Sequence, residues 1–298
     1  MKTTKMENIG VIGCGVMGTG IAQVMLQGGH SVLVCETDES FLEKGIARLK
    51  VNFKKLVEKE KISTEDETRY LAELSGTTRL KDLKSCDLVI EAVYEDIEIK
   101  KNIFKALDDV CDDATIFASN TSSMSITEMA ASTSRQGRFI GMHFFNPAQI
   151  MPLVEIVKTI CTERNIIDRM LDLVKGIGKT PVVARDEAGF IVNSLLTPYL
   201  LDAMRAFSHG VASIGDIDTA IKCGMNHPMG PLMLSDLIGL DILYNGSMNM
   251  FEEYRDPRYA PPPILKKMIM MNYLGKKTKK GFYDWSDIRN PIPANLSL

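Results

Sequence analysis

The sequence is short of the features that mark a nucleic-acid binder, a secreted scaffold or a membrane protein. Asp and Glu (38) slightly outnumber Lys and Arg (35), so no clustered basic excess offers a phosphate backbone a footprint. The six cysteines, Cys14, Cys35, Cys86, Cys111, Cys161 and Cys223, lie far apart and form no C-x-x-C pair. That excludes the usual zinc spacings and a disulfide framework, and it suits free thiols in a reducing compartment. No apolar run approaches the ~20 residues that span a bilayer, and the stretch before Ile9 is too short for a signal or transit peptide. These absences point to a cytoplasmic globular protein with no metal, no nucleic acid and no membrane among its partners.

What is present reads as two domains, because 298 residues exceed one usual core. Residues 9–12 are an apolar run, Gly13-Cys-Gly15-Val-Met-Gly18 follows, and Ile21, Ala22, Val24, Met25 and Leu26 have helical spacing. Gly28-Gly29 supplies the left-handed residue that stops the helix. The β-branched run 31–35 then closes a βαβ unit. Between residues 38 and 84 the simple alternation lapses. Phe41, Leu42, Ile46, Leu49, Phe53, Leu56 and Val57 form a helical stripe, and Thr64-Glu-Asp-Glu67 has the form of a capping box. A helical hairpin inserted between the second and third strands is expected, serving the second substrate or acting as a spacer.

Strands resume at 88–92, 116–119, 139–143 and 153–157, and after residues 181–184 the composition turns helical. The expected architecture is an α/β Rossmann-type N-terminal domain with an inserted helical hairpin, residues 1–186, followed by an all-α C-terminal domain, residues 187–298. The methionines of 268–271 suit a core or a subunit interface. Lys276, Lys277, Lys279 and Lys280 suit a solvated surface better than a site beside substrate phosphates.

G-x-G-x-x-G alone is a weak signal, but here it follows a strand, opens a helix and leads to an acid after the next strand. Gly13 permits the turn, Gly15 lets the backbone approach a pyrophosphate, and Gly18 allows close helix–strand packing. The helix start favours the pyrophosphate charge. Glu36, 23 residues beyond Gly13, can accept from ribose hydroxyls and would repel a 2′-phosphate. No arginine is expected beside it to accommodate that phosphate, so NAD is the expected cofactor.

Four further segments narrow the chemistry: Ser119-Asn-Thr-Ser-Ser123, GMHFFNPAQIMPLVEIV from Gly141, Glu187-Ala-Gly-Phe-Ile-Val-Asn193, and His227-Pro-Met-Gly-Pro-Leu232. Together, and with the LGKKTKKGFYDW tail, they resemble the 3-hydroxyacyl-CoA dehydrogenase family, in particular its short stand-alone members, over nearly the whole chain. The resemblance implies oxidation of the 3-hydroxyl of an acyl-CoA with NAD, by a homodimer whose helical domain forms the interface. By motif, His143 in HFFNP matches the general base, and Glu155, twelve residues on, matches its acidic partner. The chemistry supports the pairing. Hydride leaves a carbinol carbon readily only if the hydroxyl proton leaves too, imidazole accepts protons near neutrality, and a carboxylate on its other nitrogen fixes the tautomer.

The same resemblance makes Ser122 a contact to substrate and nicotinamide, although a turn or cap role also suits a serine near Ser125-Ile-Thr-Glu128. It makes Asn193 a substrate donor from the second domain, and Glu95, Lys100 and Asn146 cofactor contacts. By spacing alone, Glu95 and Lys100 would be a solvated helix pair. Lys55, with Lys54 beside it, is the candidate contact for CoA phosphates, though exposed helical lysines are usually only solvated. Of the remaining histidines, His30 and His209 adjoin turn glycines and His227 lies in the HPMGP turn, settings that suit structure. Glu36 stands where the family more usually has Asp, which lengthens the carboxylate's reach without changing its logic. The rival readings are a same-fold dehydrogenase of a non-CoA hydroxyacid, a sugar acid or carnitine, and a non-catalytic NAD-binding protein. The absence of lysine between Asn193 and Tyr199 weakens the β-hydroxyacid dehydrogenase version, which uses a lysine in that helix.

Overall fold

The computed structural model describes residues 6–296, and the chain divides into two compact units, Met1–Phe190 and Ile191–Leu298. In the first, strands β1 (Asn8–Ile12), β2 (Ser31–Cys35), β3 (Leu74–Thr77), β4 (Leu88–Glu91), β5 (Ile116–Ser119), β6 (Phe139–Phe144), β7 (Leu153–Lys158) and β8 (Thr180–Arg185) form one sheet. Their spatial order is β3-β2-β1-β4-β5-β6-β7-β8. Pairing is parallel except between β6 and β7. Helices α1 (Val16–Gln27), α4 (Ile97–Val110), α5 (Ile126–Ala131) and α6 (Arg164–Gly176) are among those that pack on its faces. β4 and β5 are buried at every position, which is why they read as continuous apolar runs rather than as alternating ones. The strand order reverses between β1 and β4, so their carboxyl ends open the crevice where doubly wound sheets bind ligands.

The inserted hairpin is α2 (Glu39–Glu58) and α3 (Thr64–Ala72). The box that opens α3 is set one residue earlier than the sequence pattern suggested. Ser63 caps the Asp66 amide and Asp66 reaches back to the Ser63 amide. The hairpin also delivers a strand that sequence pattern missed. β3 (LSGT) is four residues long and lacks a β-branched run, yet it pairs with β2 because the hairpin lays it along that edge. β8 was likewise not separated from the change in composition after residue 184. At the end of α1 the left-handed residue is Gly29, with φ +81.

The second unit holds α7 (Val192–Ser208), α8 (Ile214–Met225), α9 (Pro231–Ile238), α10 (Leu240–Tyr254) and α11 (Pro263–Met270). What reads as one apolar stretch around residues 234–251 is broken at Gly239, whose φ of +102 separates α9 from α10. The helical expectation holds with one addition, a small antiparallel pair, β9 (Tyr283–Asp284) and β10 (Ile292–Pro293). Two buried aspartates tie this tail down. Asp218 accepts from the Leu232 and Met233 amides at the start of α9 and from the Tyr283 hydroxyl. Asp236 accepts from the Phe282 and Tyr283 amides and from the Trp285 indole. Met268 belongs to the core while Met270 and Met271 are exposed. Among the described residues no helix is long and apolar enough to cross a membrane.

Candidate active site

The glycine turn sits at the carboxyl end of β1. Gly13 has φ +95, and a Cβ there would meet the Ala92 carbonyl oxygen at 2.8 Å. A Cβ on Gly18 would fall 1.8 Å from the Gly13 carbonyl oxygen, so this glycine is needed for closure of the turn itself more than for helix–strand packing. Gly15 differs. It is exposed, and a Cβ there would meet nothing within 4 Å. The space before the start of α1 is therefore open, and no side chain caps that helix. First-turn amides facing open space at the β1/β4 switch point are what a dinucleotide's pyrophosphate requires.

Glu36 follows β2 and is half-buried. Its carboxylate accepts from the Cys14 amide at 2.7 Å and from the Thr37 amide at 3.0 Å, bracing the glycine turn. The Thr37 hydroxyl also donates, at 3.4 Å, to the oxygen that the Thr37 amide holds, so the oxygen bonded to the Cys14 amide is the one that keeps a lone pair for a ribose hydroxyl. The structure corrects one sequence expectation here. An arginine does stand by this corner: Arg48 of α2 donates to the Cys14 carbonyl at 3.5 Å. Burial, with the Glu36 charge as a second cause, pushes the Cys14 thiol up to about 12, so it remains a neutral packing group at neutral pH.

The end of β4 holds a charge cluster that the sequence reading missed. Glu91, the last residue of the strand, is fully buried and accepts from Lys100 Nζ at 2.6 Å, the Val93 amide at 2.7 Å and the Ser119 hydroxyl at 2.6 Å. Lys100 is 1% exposed and also lies 3.2 Å from Glu95, so it is no solvated helix partner. Glu95 in turn accepts from the Thr121 hydroxyl and the Ser122 amide, each at 3.1 Å. A buried carboxylate is sustained only by such pairing and hydrogen bonding. The signal available in sequence was a Glu closing an otherwise apolar strand.

His143 and Glu155 lie on β6 and β7, which run antiparallel in a register that sets the two residues opposite each other. The His143 Nδ1 to Glu155 Oε2 distance is 2.7 Å, with Glu155 fully buried and His143 5% exposed. The imidazole packs against Phe145 and Phe190, ring centroids 4.5 and 5.6 Å away. Next to it, the Phe144 amide donates to the Asn120 side chain, which ties the histidine strand to the serine loop. The first unit thus gathers the glycine turn, Glu36, Glu95 and Lys100, Ser122, His143 and Glu155 along the carboxyl side of β1, β4 and β5 and the adjoining β6/β7 pair. Ser122 is half-buried, Asn146 is exposed in the loop after β6, and Lys54 and Lys55 are exposed on α2. Asn193 occupies the first turn of α7 in the second unit. His30 is buried against the Met6 carbonyl, and His227 lies 3.4 Å from the Tyr199 hydroxyl. Both are held by structural contacts.

The model of the 3-hydroxyacyl-CoA dehydrogenase NAD binding domain matches residues 8–187, and that of the C-terminal domain of the same family matches residues 189–285. A 3-hydroxybutyryl-CoA dehydrogenase of Clostridioides difficile is 45% identical over 93% of this chain and 99% of its own. A mitochondrial hydroxyacyl-coenzyme A dehydrogenase of Sus scrofa is 43% identical over 95% of this chain and 93% of its own. The crystal structure of an (S)-3-hydroxybutyryl-CoA dehydrogenase from Ralstonia eutropha superposes with a TM-score of 0.92 at 39% identity, covering 95% of this chain and 100% of that one.

Proposed function

Because the chain belongs to the 3-hydroxyacyl-CoA dehydrogenase family, and so is an NAD-dependent oxidoreductase, we propose that it interconverts (S)-3-hydroxybutyryl-CoA and acetoacetyl-CoA with His143 as the general base. The observation that carries the proton step is the 2.7 Å bond between His143 and Glu155 in an apolar setting. With Glu155 accepting the proton on Nδ1, Nε2 is the basic nitrogen. It takes the proton of the substrate's 3-hydroxyl, and the buried carboxylate stabilises the imidazolium that results. In the reverse direction the imidazolium returns that proton to the 3-oxo oxygen. NAD, when bound, supplies the nicotinamide carbon that exchanges a hydride with C3 of the substrate.

The remaining assignments follow the family resemblance and the placements above. Gly13, Gly15 and Gly18 admit the pyrophosphate, Glu36 holds the adenosine ribose, and Glu95, Lys100 and Asn146 serve the nicotinamide end. Lys100 does so through Glu95, since its own ammonium is buried. Ser122 and Asn193 orient the acyl group, and Lys54 and Lys55 meet CoA phosphates. The assembly is a homodimer through the helical unit, where Ile242, Met270 and Met271 offer exposed apolar surface. The free thiols, four of them buried, suit the reducing cytoplasm. The test is NADH oxidation with acetoacetyl-CoA, compared with longer 3-oxoacyl-CoAs and with free acetoacetate. Turnover of the thioester that falls as the acyl chain lengthens supports the reading. Equal turnover of the free acid overturns the requirement for CoA.

A further inference from the structure

Resting on that reading, we infer that Glu91 is a positioning residue for the reaction, holding the Ser122 loop through two separate hydrogen-bonded arms. It lies under the site rather than in it: fully buried at the end of β4, with no surface to offer substrate or cofactor.

The first arm is ionic. Lys100 on α4 donates to Glu91 at 2.6 Å and faces Glu95 at 3.2 Å. Glu95 accepts from the Thr121 hydroxyl and the Ser122 amide. The second arm is neutral. The Ser119 hydroxyl donates to Glu91 at 2.6 Å and accepts from the Thr121 amide at 3.2 Å. Both arms therefore end on Thr121–Ser122. Thr121 is buried, and its hydroxyl oxygen also accepts from the Ser123 and Met124 amides, so the turn that presents Ser122 is pinned at every amide from 121 to 124.

The charge arithmetic explains why a carboxylate stands at 91. Lys100 is 1% exposed, and Glu95, its other partner, is 41% exposed. Glu95 alone, half in water, would hold the ammonium weakly. Glu91 fixes Lys100 from below, and Lys100 then presents a fixed cation to which Glu95 is drawn, away from solvent and toward the serine loop. Without Glu91 the same lysine is an under-paired buried charge, which is strongly destabilising. Structural rescue and functional rescue can therefore be separated, because removing both charges repairs the burial problem but leaves Glu95 untethered.

The experiment compares E91Q, K100M, E91Q/K100M and S119A with the wild type, reading thermal midpoint, NADH affinity by fluorescence, and kcat and KM for acetoacetyl-CoA. E91Q is expected to lose thermal stability, and E91Q/K100M to regain most of it. Despite that recovery, kcat of the double variant should stay about tenfold or more below wild type, the scale expected when a reacting contact is held loosely. Adding E95Q should lower kcat in both backgrounds, because Glu95 still serves the nicotinamide end, but by clearly less in E91Q/K100M, where its tie to Lys100 is already lost. S119A cuts only the neutral arm and should lower kcat several-fold with the fold intact, which keeps a readout if the charge variants do not fold. Wild-type kcat in E91Q/K100M or S119A, or an E95Q effect of equal size in both backgrounds, overturns the inference. Absence of acetoacetyl-CoA turnover in the wild type would instead refute the proposed substrate, and NADH affinity would still report the cluster.

Discussion

His143 Nδ1 and Glu155 Oε2 stand 2.7 Å apart across an antiparallel strand pair, the acid wholly buried and the imidazole nearly so. Cross-strand register thus does the work that a loop does in many catalytic dyads, and the two side chains emerge on one face of the sheet without a flexible connection. A dyad built this way should be insensitive to loop motion and sensitive to either side chain's chemistry.

His143→Gln should leave NADH affinity within about twofold while kcat falls by roughly a hundredfold to ten-thousandfold, the usual weight of a positioned general base. Glu155→Gln keeps an acceptor opposite Nδ1 but removes the charge that steadies the imidazolium, and should likewise lower kcat by about a hundredfold or more. The double variant should be little worse than either single one, because the residues act as a unit. Steady-state rates with acetoacetyl-CoA and fluorescence titration with NADH check all three. Additive losses would mean that Glu155 does not act through His143.

In the proposed cofactor site, Glu36 is the group that would separate NAD from NADP, and Arg48 reaches the adjoining Cys14 carbonyl. Glu36→Ser should weaken NADH binding by about tenfold or more, the worth of a charge-assisted hydrogen bond. It should also improve NADPH binding, since the repelling carboxylate is gone and a guanidinium remains nearby. Removing that guanidinium in Glu36→Ser/Arg48→Ala should cancel the gain for NADPH. Titrations with both dinucleotides read the outcome, and a gain that survives loss of Arg48 would remove the arginine from the account.

The six cysteines divide sharply. Burial pushes Cys14 and Cys86 up to about 12 and Cys35 and Cys111 up to about 11, whereas Cys161 and Cys223 are exposed. Since the thiolate is the nucleophile, iodoacetamide at pH 8 should label Cys161 and Cys223 and leave the other four intact, with little loss of activity. Peptide mass mapping after brief labelling tests this. Early modification of Cys14 in the glycine turn would contradict the closed packing there.

The parts of this molecule legible in sequence are those where local pattern and chemistry coincide. Gly13-x-Gly15-x-x-Gly18 after a strand announced the tight turn at the end of β1, and the HFFNP and LVEIV strands pointed to the His143–Glu155 pair. The parts that escaped depend on distant chain. β3 is four residues with a glycine and forms only because α2 and α3 carry it to β2. Lys100 reads as a solvated helix lysine until α4 is laid on the sheet and its ammonium meets Glu91. Arg48 lies twelve residues beyond Glu36 and is brought by α2 to the carbonyl of Cys14, whose amide Glu36 holds. Burial of a charge is a tertiary fact, and no periodicity announces it. Asp218 and Asp236 were missed for the same reason, since each looks like an ordinary polar position on an amphipathic helix.

Asp236 gives the helical unit a pH signature with a definite sign. Desolvation is the largest cause that raises its carboxyl to about 6; the Trp285, Phe282 and Tyr283 hydrogen bonds oppose the shift, and the Asp218 charge adds to it. In an unfolded chain the same group titrates near ~3.9. Between those two values the folded state holds a proton that the unfolded state has lost. The group therefore favours folding fully below about pH 4, and that contribution is lost as pH rises through about 6. A two-unit gap corresponds to ~3 kcal/mol. Other carboxylates impose their own acid destabilisation, so the signature lies in a difference. The thermal midpoint of wild type minus that of Asp236→Asn should be largest at about pH 4 and below and shrink steadily as pH rises through about 6 toward neutrality. A difference that stays flat, or grows with pH, would show that the three donors hold Asp236 ionised in the folded protein and that its burial costs less than its surroundings imply.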